Sequence, residues 1–329
     1  MWFLGFVLLM AKIAIVLGAL LGLAAYLILV ERKLLGRFQI RFGPNRVGPF
    51  GLWQPIADGI KMILKEDIIP ADVDRTVFKY SPAVVATVAI LMVAVIPFSS
   101  DLILWGYKIP MVFSDLNVGV LFVLALSSLS VYGVALGGWA SNSKYSLLGG
   151  IRGAAQMISY ELPLGLSLVP VVMLAGSFSL VDIVNAQEKY PFVLVQPVAF
   201  LIFILSSIAE VNRLPFDLPE AENELNAGYH TEFSGMRFAL FFIGEYVHMI
   251  VLGALVAVFF LGGWRGPLLP PVVWLLLKML LVPFFLIWTR ATLPRPRYDQ
   301  LMHFGWKLLV PVALVNIVVT GGMILWVRS

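Results

Sequence analysis

The 329-residue chain contains no cysteine, which excludes disulfides and cysteine-ligated iron–sulfur clusters. Histidine is scarce as well. Only His230, His248 and His303 occur, and His248 alone lies well inside an apolar run. A bis-histidine haem needs two imidazoles facing each other at one depth, so electron transfer through a cofactor held in this chain is not expected. Neither G-x-x-x-x-G-K-[ST] nor G-x-G-x-x-G is present, and no acidic run has the D-x-D-x-D-G spacing of a calcium loop. The expected metal site is therefore none, and no cofactor is expected to be bound covalently or by ligation. Any redox chemistry must draw its electrons from a partner. Charge is also sparse: 13% of residues are charged against 60% hydrophobic, with a mean hydropathy of +0.93. That balance excludes an ordinary soluble domain and defines an integral membrane protein.

Long apolar runs, rather than short alternating segments, predict helices and not a β-barrel. Eight spans are expected at about 3–30, 82–98, 117–138, 151–175, 194–210, 236–262, 271–288 and 307–327, an all-α bundle forming one polytopic domain over 1–329. The N-terminal stretch "MWFLGFVLLMAK" has no basic n-region and continues into too long an apolar run for a removable signal, so the first helix is expected to stay. The joining segments 31–81, 139–150, 211–235 and 289–306 hold most of the lysine and arginine, including Arg32, Lys33, Arg37, Lys144, Arg213 and Arg290. The opposite side has only Lys108, Lys189, Arg265 and Arg328. By the positive-inside rule the first group is cytoplasmic and both termini lie outside. The net charge of +4 comes from these loops and requires no nucleic-acid partner.

In the longest loop, "GLWQPIADGIKMILKED" places Leu52, Ile56, Ile60, Ile63 and Leu64 on one helical face, with Asp58, Lys61 and Lys65 elsewhere, the pattern of a helix lying in the membrane interface. A connector helix covering the bundle gives the same pattern. The preceding "VERKLLGRFQIRFGPNRVGPFG" suffices as a topology anchor at anionic headgroups. Gly43-Pro44 and Gly48-Pro49 add fixed turns that an anchor does not need, and a shaped loop suggests a docking surface.

Several charges fall inside the spans. Glu161 in "AAQMISYELPLGLSLVP" lies deep in the fourth, where an ionised carboxylate costs several kcal/mol unless paired; Pro163 and Gly165 predict a break or kink beside it. Glu245 and His248, three residues apart, share a face of the sixth span. Lys278 in the seventh is the expected counter-charge for one of the glutamates. A structural ion pair accounts for two of these groups. Two glutamates, a lysine and a histidine at similar depth, with Glu210 leading toward them, read instead as a proton relay. Lys12 is expected to snorkel, and His230 and His303, in polar loops, read as surface residues.

Six carboxylates, Glu210, Asp217, Glu220, Glu222, Glu224 and Glu232, crowd "AEVNRLPFDLPEAENELNAGYHTEF" beside Arg213. Such crowding makes a loop's charge state sensitive to nearby protonation. A solvated face, or a contact for a basic partner, is the plainer reading.

Four long stretches carry a resemblance: "GRFQIRFGPNRVGPFGLWQPIADGIKMILKED", "ASNSKYSLLGGIRGAAQMISYELPLGLS", "AEVNRLPFDLPEAENELNAGYHTEFSGMRFALFFIGEY" and "RATLPRPRYDQLMHFGWKLLVP". Together they resemble, essentially end to end, the membrane-arm quinone-site component of respiratory complex I, the H subunit of the proton-pumping NADH–quinone oxidoreductase. The resemblance implies an eight-helix component of the bacterial inner membrane that joins the hydrophilic arm to the membrane arm and forms much of the quinone tunnel. It implies a tunnel mouth with Glu31, Arg32, Arg41 and Arg46 on its basic side, and a cavity lined by the loop Asp217–Glu224. Glu210, Glu161 and Glu245 would begin a chain of charges toward antiporter-like subunits. Quinone is the implied substrate. Implied partners are hydrophilic subunits carrying the terminal iron–sulfur cluster, neighbouring small membrane subunits and the bilayer, and the isolated chain is expected to be inactive. The membrane anchor of a related nickel–iron hydrogenase is the alternative; a stand-alone ion transporter would call for an inverted repeat, and none is seen.

Overall fold

Lipid cannot satisfy backbone hydrogen bonds, so a crossing segment must satisfy its own, and this chain meets the requirement with helices. The computed structural model describes residues 2–99, 102–104, 107–109, 111–220 and 222–328, with side chains described except at 2–5, 8, 102–104, 107–109, 222, 223 and 328. Thirteen α-helices follow in order among the described residues: α1 Trp2–Phe38, α2 Gln54–Leu64, α3 Arg75–Met92, α4 Gly119–Ala140, α5 Lys144–Ala175, α6 Leu180–Ala186, α7 Phe192–Val195, α8 Pro197–Glu210, α9 Glu222–Leu225, α10 Gly235–Phe260, α11 Pro271–Thr292, α12 Tyr298–His303 and α13 Val310–Arg328. A short antiparallel hairpin pairs β1 Leu102–Leu104 with β2 Tyr107–Ile109 between α3 and α4.

Seven helical stretches are long and apolar enough to cross a membrane. Several of them run further than sequence patterning alone suggests. Helix α1 continues through "VERKLLGRF" because no breaker intervenes, and it stops where Ile40 turns left-handed at φ 55° before Gly43-Pro44. Helix α5 starts at Lys144 and passes unbroken through Pro163 and Pro170, so of the break or kink expected at Pro163 the break does not occur. A π-helical turn, Phe304–Leu309, fuses α12 and α13 into one helix from Tyr298, and the expected loop 289–306 shrinks to the few residues between Thr292 and Tyr298.

The expected fifth span differs in the other direction. Its helix is interrupted at Gln196, because Pro197 lacks an N–H and disfavours helical geometry in the residue before it. Helix α7 ends at Val195, and α8 has 14 residues, about 21 Å at 1.5 Å per residue, short of a hydrocarbon core of about 30 Å.

Helix α10 is the axis of the bundle. Val247 and every residue from Met249 to Phe260 are buried, as expected of a helix that is apolar all round. It packs against α1, α3 and α11, while α4 joins α3 to α5, and α5 in turn holds α8 and α13. The α10–α11 contact is close enough to reach backbone: a Cβ at Gly253 would collide with the Met279 carbonyl oxygen. Van der Waals packing at small residues is the main force between helices in lipid. Helix α2 lies against α1 and α10 with Ile56, Ile60, Ile63 and Leu64 exposed, the apolar face available to an interface.

Gly253→Ala is expected to cost about 1–3 kcal/mol, since carbonyl backbone cannot yield as a side chain can. Gly22→Ala, where a Cβ meets nothing within 4 Å, is expected to be neutral or to stabilise by up to about 1 kcal/mol. Thermal unfolding of the purified protein in detergent measures both, and equal effects would refute the contact.

Candidate functional site: a buried charge cluster beneath an acidic loop

Helix α8 delivers the first component. It ends at Glu210, the chain reverses at Asn212 with φ 56°, and Arg213 is thereby turned back into the protein, 7% exposed. The turn is held by Gln156 of α5, fully buried, whose Nε2 donates to the Ala209 carbonyl at 2.7 Å and the Phe216 carbonyl at 2.6 Å.

Arg213 meets two helices. Its Nη1 donates to Glu31 Oε1 of α1 at 3.1 Å. Its Nε abuts Glu245 Oε1 of α10, an ion pair without hydrogen-bond alignment, and the guanidinium lies 4.5 Å from the centre of the Tyr246 ring. Glu31, 2% exposed, also accepts from Arg290 Nη1 of α11 and, at 2.6 Å, from the Tyr246 hydroxyl. Two carboxylates face two guanidiniums, so the formal charge is −2 + 2 = 0. Burial alone would lower the Arg213 pKa, but Glu245, Tyr246 and Glu31 together raise it well above its ordinary value.

The acidic loop lies beside this cluster. Burial, and then the charge of Glu220, push Asp217 up to about 7, against the pull of Arg295, Arg213 and Arg290. Glu220 goes the other way. Burial would raise it, yet the hydrogen bond and charge of His230, with Arg213 and Arg290 beyond, hold it below the ordinary carboxylate range. Glu224 points away and pairs with Arg152 of α5 at 2.6 Å. The side chain of Glu222 lies outside the described residues.

A second line of polar groups runs inward. Glu210, buried, has its Oε1 3.8 Å from His248 Nε2 of α10, and both line a small cavity with Ser127. Glu161, half-buried on α5, accepts from the Ser128 hydroxyl of α4. Among the described residues no three histidine, aspartate or glutamate side chains are grouped to hold a metal ion.

Other expected site residues fall elsewhere. Arg32 pairs with Asp58 at 2.8 Å and ties α2 to the end of α1. Arg41 is exposed and bonds to Gln39, and Arg46 is exposed on the Gly-Pro loop. Lys278 is not brought to a glutamate. Its Nζ donates to the carbonyls of Leu261, Gly263 and Arg265 just past the end of α10. Lys12 donates to the Val112 carbonyl at 2.8 Å. His303 is exposed, but His230, which reads from sequence as a surface residue, is buried. Arg290 and Tyr246 give no such signal in sequence: Arg290 looks like one more loop cation and Tyr246 like one more aromatic in an apolar run.

This architecture defines a class, the multi-pass helical membrane protein with a charge network buried under an acidic loop. Comparison with known proteins narrows it to one family. The family model described as NADH dehydrogenase matches residues 11–321. The chain is 70% identical over 325 residues, 99% of this chain and 98% of the relative, to the H subunit (form 2) of NADH-quinone oxidoreductase from Syntrophobacter fumaroxidans. It is 63% identical to the corresponding form-2 protein of Geobacter sulfurreducens over 96% of both chains. With the H subunit of Thermomicrobium roseum it shares 54% identity, over 95% of this chain and 94% of the relative. The chain belongs to this family, the H subunits of NADH-quinone oxidoreductase.

Arg213→Gln would leave Glu31 and Glu245 without their shared cation, and breaking a buried pair costs about 3–5 kcal/mol. A correspondingly lower melting temperature is expected for the purified complex. Arg213→Lys should recover less than half of the loss, because one ammonium cannot span both carboxylates as the guanidinium fork does. Full recovery by lysine would show that charge alone suffices.

Proposed function

We propose that this chain forms the membrane wall of the quinone cavity in a proton-pumping NADH–quinone oxidoreductase and passes the cavity's charge changes into the bilayer. The observation that carries the reading is Arg213, which joins the loop holding Asp217 and Glu220 to Glu31 and Glu245 inside the bundle. Reducing a quinone takes two electrons and two protons, so charge in the cavity must change at every turnover. Buried ion pairs respond strongly to such changes because a low dielectric screens them little.

From Glu245 the line continues to His248, one turn along α10, then across to Glu210 and on toward Glu161. Lys278 is left out, since three carbonyls already engage it. Glu31 and Arg32 belong to the cavity's entrance, with Arg41 and Arg46 on the surface that meets a hydrophilic partner. That partner supplies electrons from an iron–sulfur cluster. In this reading α8, with α7 extending it, makes the eighth crossing, both termini lie outside, and the exposed apolar face of α2 rests in the cytoplasmic interface.

Topology is tested by cysteine labelling in this cysteine-free chain. Asn45→Cys should react only from the cytoplasm and Lys189→Cys only from outside, and the reverse would overturn the orientation. Coupling is tested by Glu161→Gln in the assembled complex, which should lower both quinone reduction and proton pumping. A fully assembled variant that pumps at the wild-type rate and stoichiometry would place the path elsewhere. The isolated chain should reduce no quinone from NADH.

A further inference from the structure

His230 closes the short helical turn Gly228–His230 and is 4% exposed. Four rings enclose its imidazole: Tyr229 at 3.8 Å, Phe241 at 5.1 Å, Phe238 at 5.5 Å and Phe242 at 5.6 Å between centroids. The ring cannot swing out to water. Its Nδ1 pairs with Glu220 Oε1 at 3.2 Å, while Nε2 has no hydrogen-bond partner among the described residues.

The backbone delivers this contact from a second side. Gly228 has φ +54°, and a Cβ there would collide with the carbonyl oxygen of Pro219, the residue before Glu220. The turn therefore grips both the backbone and the side chain of the loop at this point.

Asp217, three residues earlier, has no such arrangement. Its Oδ1 is buried and accepts no hydrogen bond among the described residues. One carboxyl of the loop thus has a fixed polar partner and the other has a bare buried oxygen, a costly arrangement for an ionised carboxylate. The remaining charges do not separate them. Arg213 of the loop, Arg290 of α11 and Glu245 of α10 act on both, and the Tyr229 phenol also faces both. Arg295, before α12, acts on Asp217, yet its Nε and Nη2 make no hydrogen bond among the described residues.

We propose that His230 is a positioning residue that holds Glu220 as the ionised member of this pair and so leaves Asp217 as the carboxyl that gains or loses a proton when the cavity's charge changes. The inference rests on the reading that this loop faces the quinone. One proton moves on or off Asp217, and no covalent bond to carbon is made or broken. The position of Asp217 near 7 is consistent with that division.

The test is the pH dependence of quinone reduction by the assembled complex, with kcat and kcat/KM for quinone separated. The wild type should show a limb near pH 7, and Asp217→Asn should lose it. His230→Gln, which keeps a donor for Glu220, should retain it. His230→Phe keeps an aromatic ring in the box but removes the donor, and combined with Asp217→Asn it should restore a limb, now from Glu220. A limb that survives Asp217→Asn beside native His230, or a double variant without one, overturns the proposal. Should His230→Phe fail to assemble, infrared difference spectra between oxidised and reduced complexes decide. A protonated carboxyl band must disappear in Asp217→Asn, and its persistence is equally fatal. If Asp217→Asn and Glu220→Gln both leave quinone KM and rate unchanged, the quinone-facing reading of the loop has failed instead.

Discussion

A carboxylate stays ionised inside a helical bundle only when cations and donors reach it at contact distance. Glu31 is the point where this chain meets that constraint. Its two oxygens take Arg213, Arg290 and the Tyr246 hydroxyl, and those partners come from the segment after α8, from α11 and from α10. Three separate parts of the chain must therefore be in place before α1 can bury the residue. The pair Glu31–Arg213 ties the entry of the acidic loop to α1. Glu31 and Arg213 are both buried, so removing either leaves its partner short of a counter-charge in low dielectric, and the cluster thereby favours one arrangement of the three parts.

The loop beyond Arg213 is held by a different kind of interaction. Gln156 occupies carbonyls on both sides of the reversal at Asn212, and the turn at Gly228 presses on Pro219. Around these fixed points the carboxyls keep unlike surroundings. Glu224 sits half-solvated against Arg152, Glu220 is tied to His230, and Asp217 has an oxygen without a donor among the described residues. Rigidity matters here because a mobile acidic loop would average these environments and all its carboxyls would titrate together. A shaped loop divides them, and division is what lets one group respond while its neighbour stays charged.

Much of this is legible in the sequence, for reasons that differ by residue. Hydropathy exposes the long spans, but it does not show that the helix at 194–210 is interrupted before Pro197. Glu161, Glu210 and Glu245 stand out because charge is rare in their surroundings. Arg290 does not, since a cation at the end of a span is what topology alone demands, and only the packing of α11 against α1 shows that it turns inward. His230 reads wrongly as a surface residue because its neighbours in sequence are polar, while its neighbours in space are Phe238, Phe241 and Phe242 from the first two turns of α10. The expected pairing of Lys278 fails for a related reason. Depth along a helix is readable from spacing, but the direction of a side chain around the bundle is not.

The fates of Arg213 and Lys278 follow from the shapes of their head groups. An ammonium is a compact charge with three donors, suited to a ring of carbonyls. The chain supplies one where α10 ends and the left-handed pair Gly262 and Gly263 turns the backbone. Lys278 takes three carbonyls of that turn from the adjacent helix, and its charge lies near the negative end of the α10 dipole. A guanidinium is flat and forked, so it can lie against the Tyr246 ring and still address Glu31 and Glu245 from different edges. The lysine therefore closes a helix end, and the arginine connects carboxylates on two helices. Of the two cations, only the arginine has two anions between which its contacts can shift if one of them gains or loses a proton.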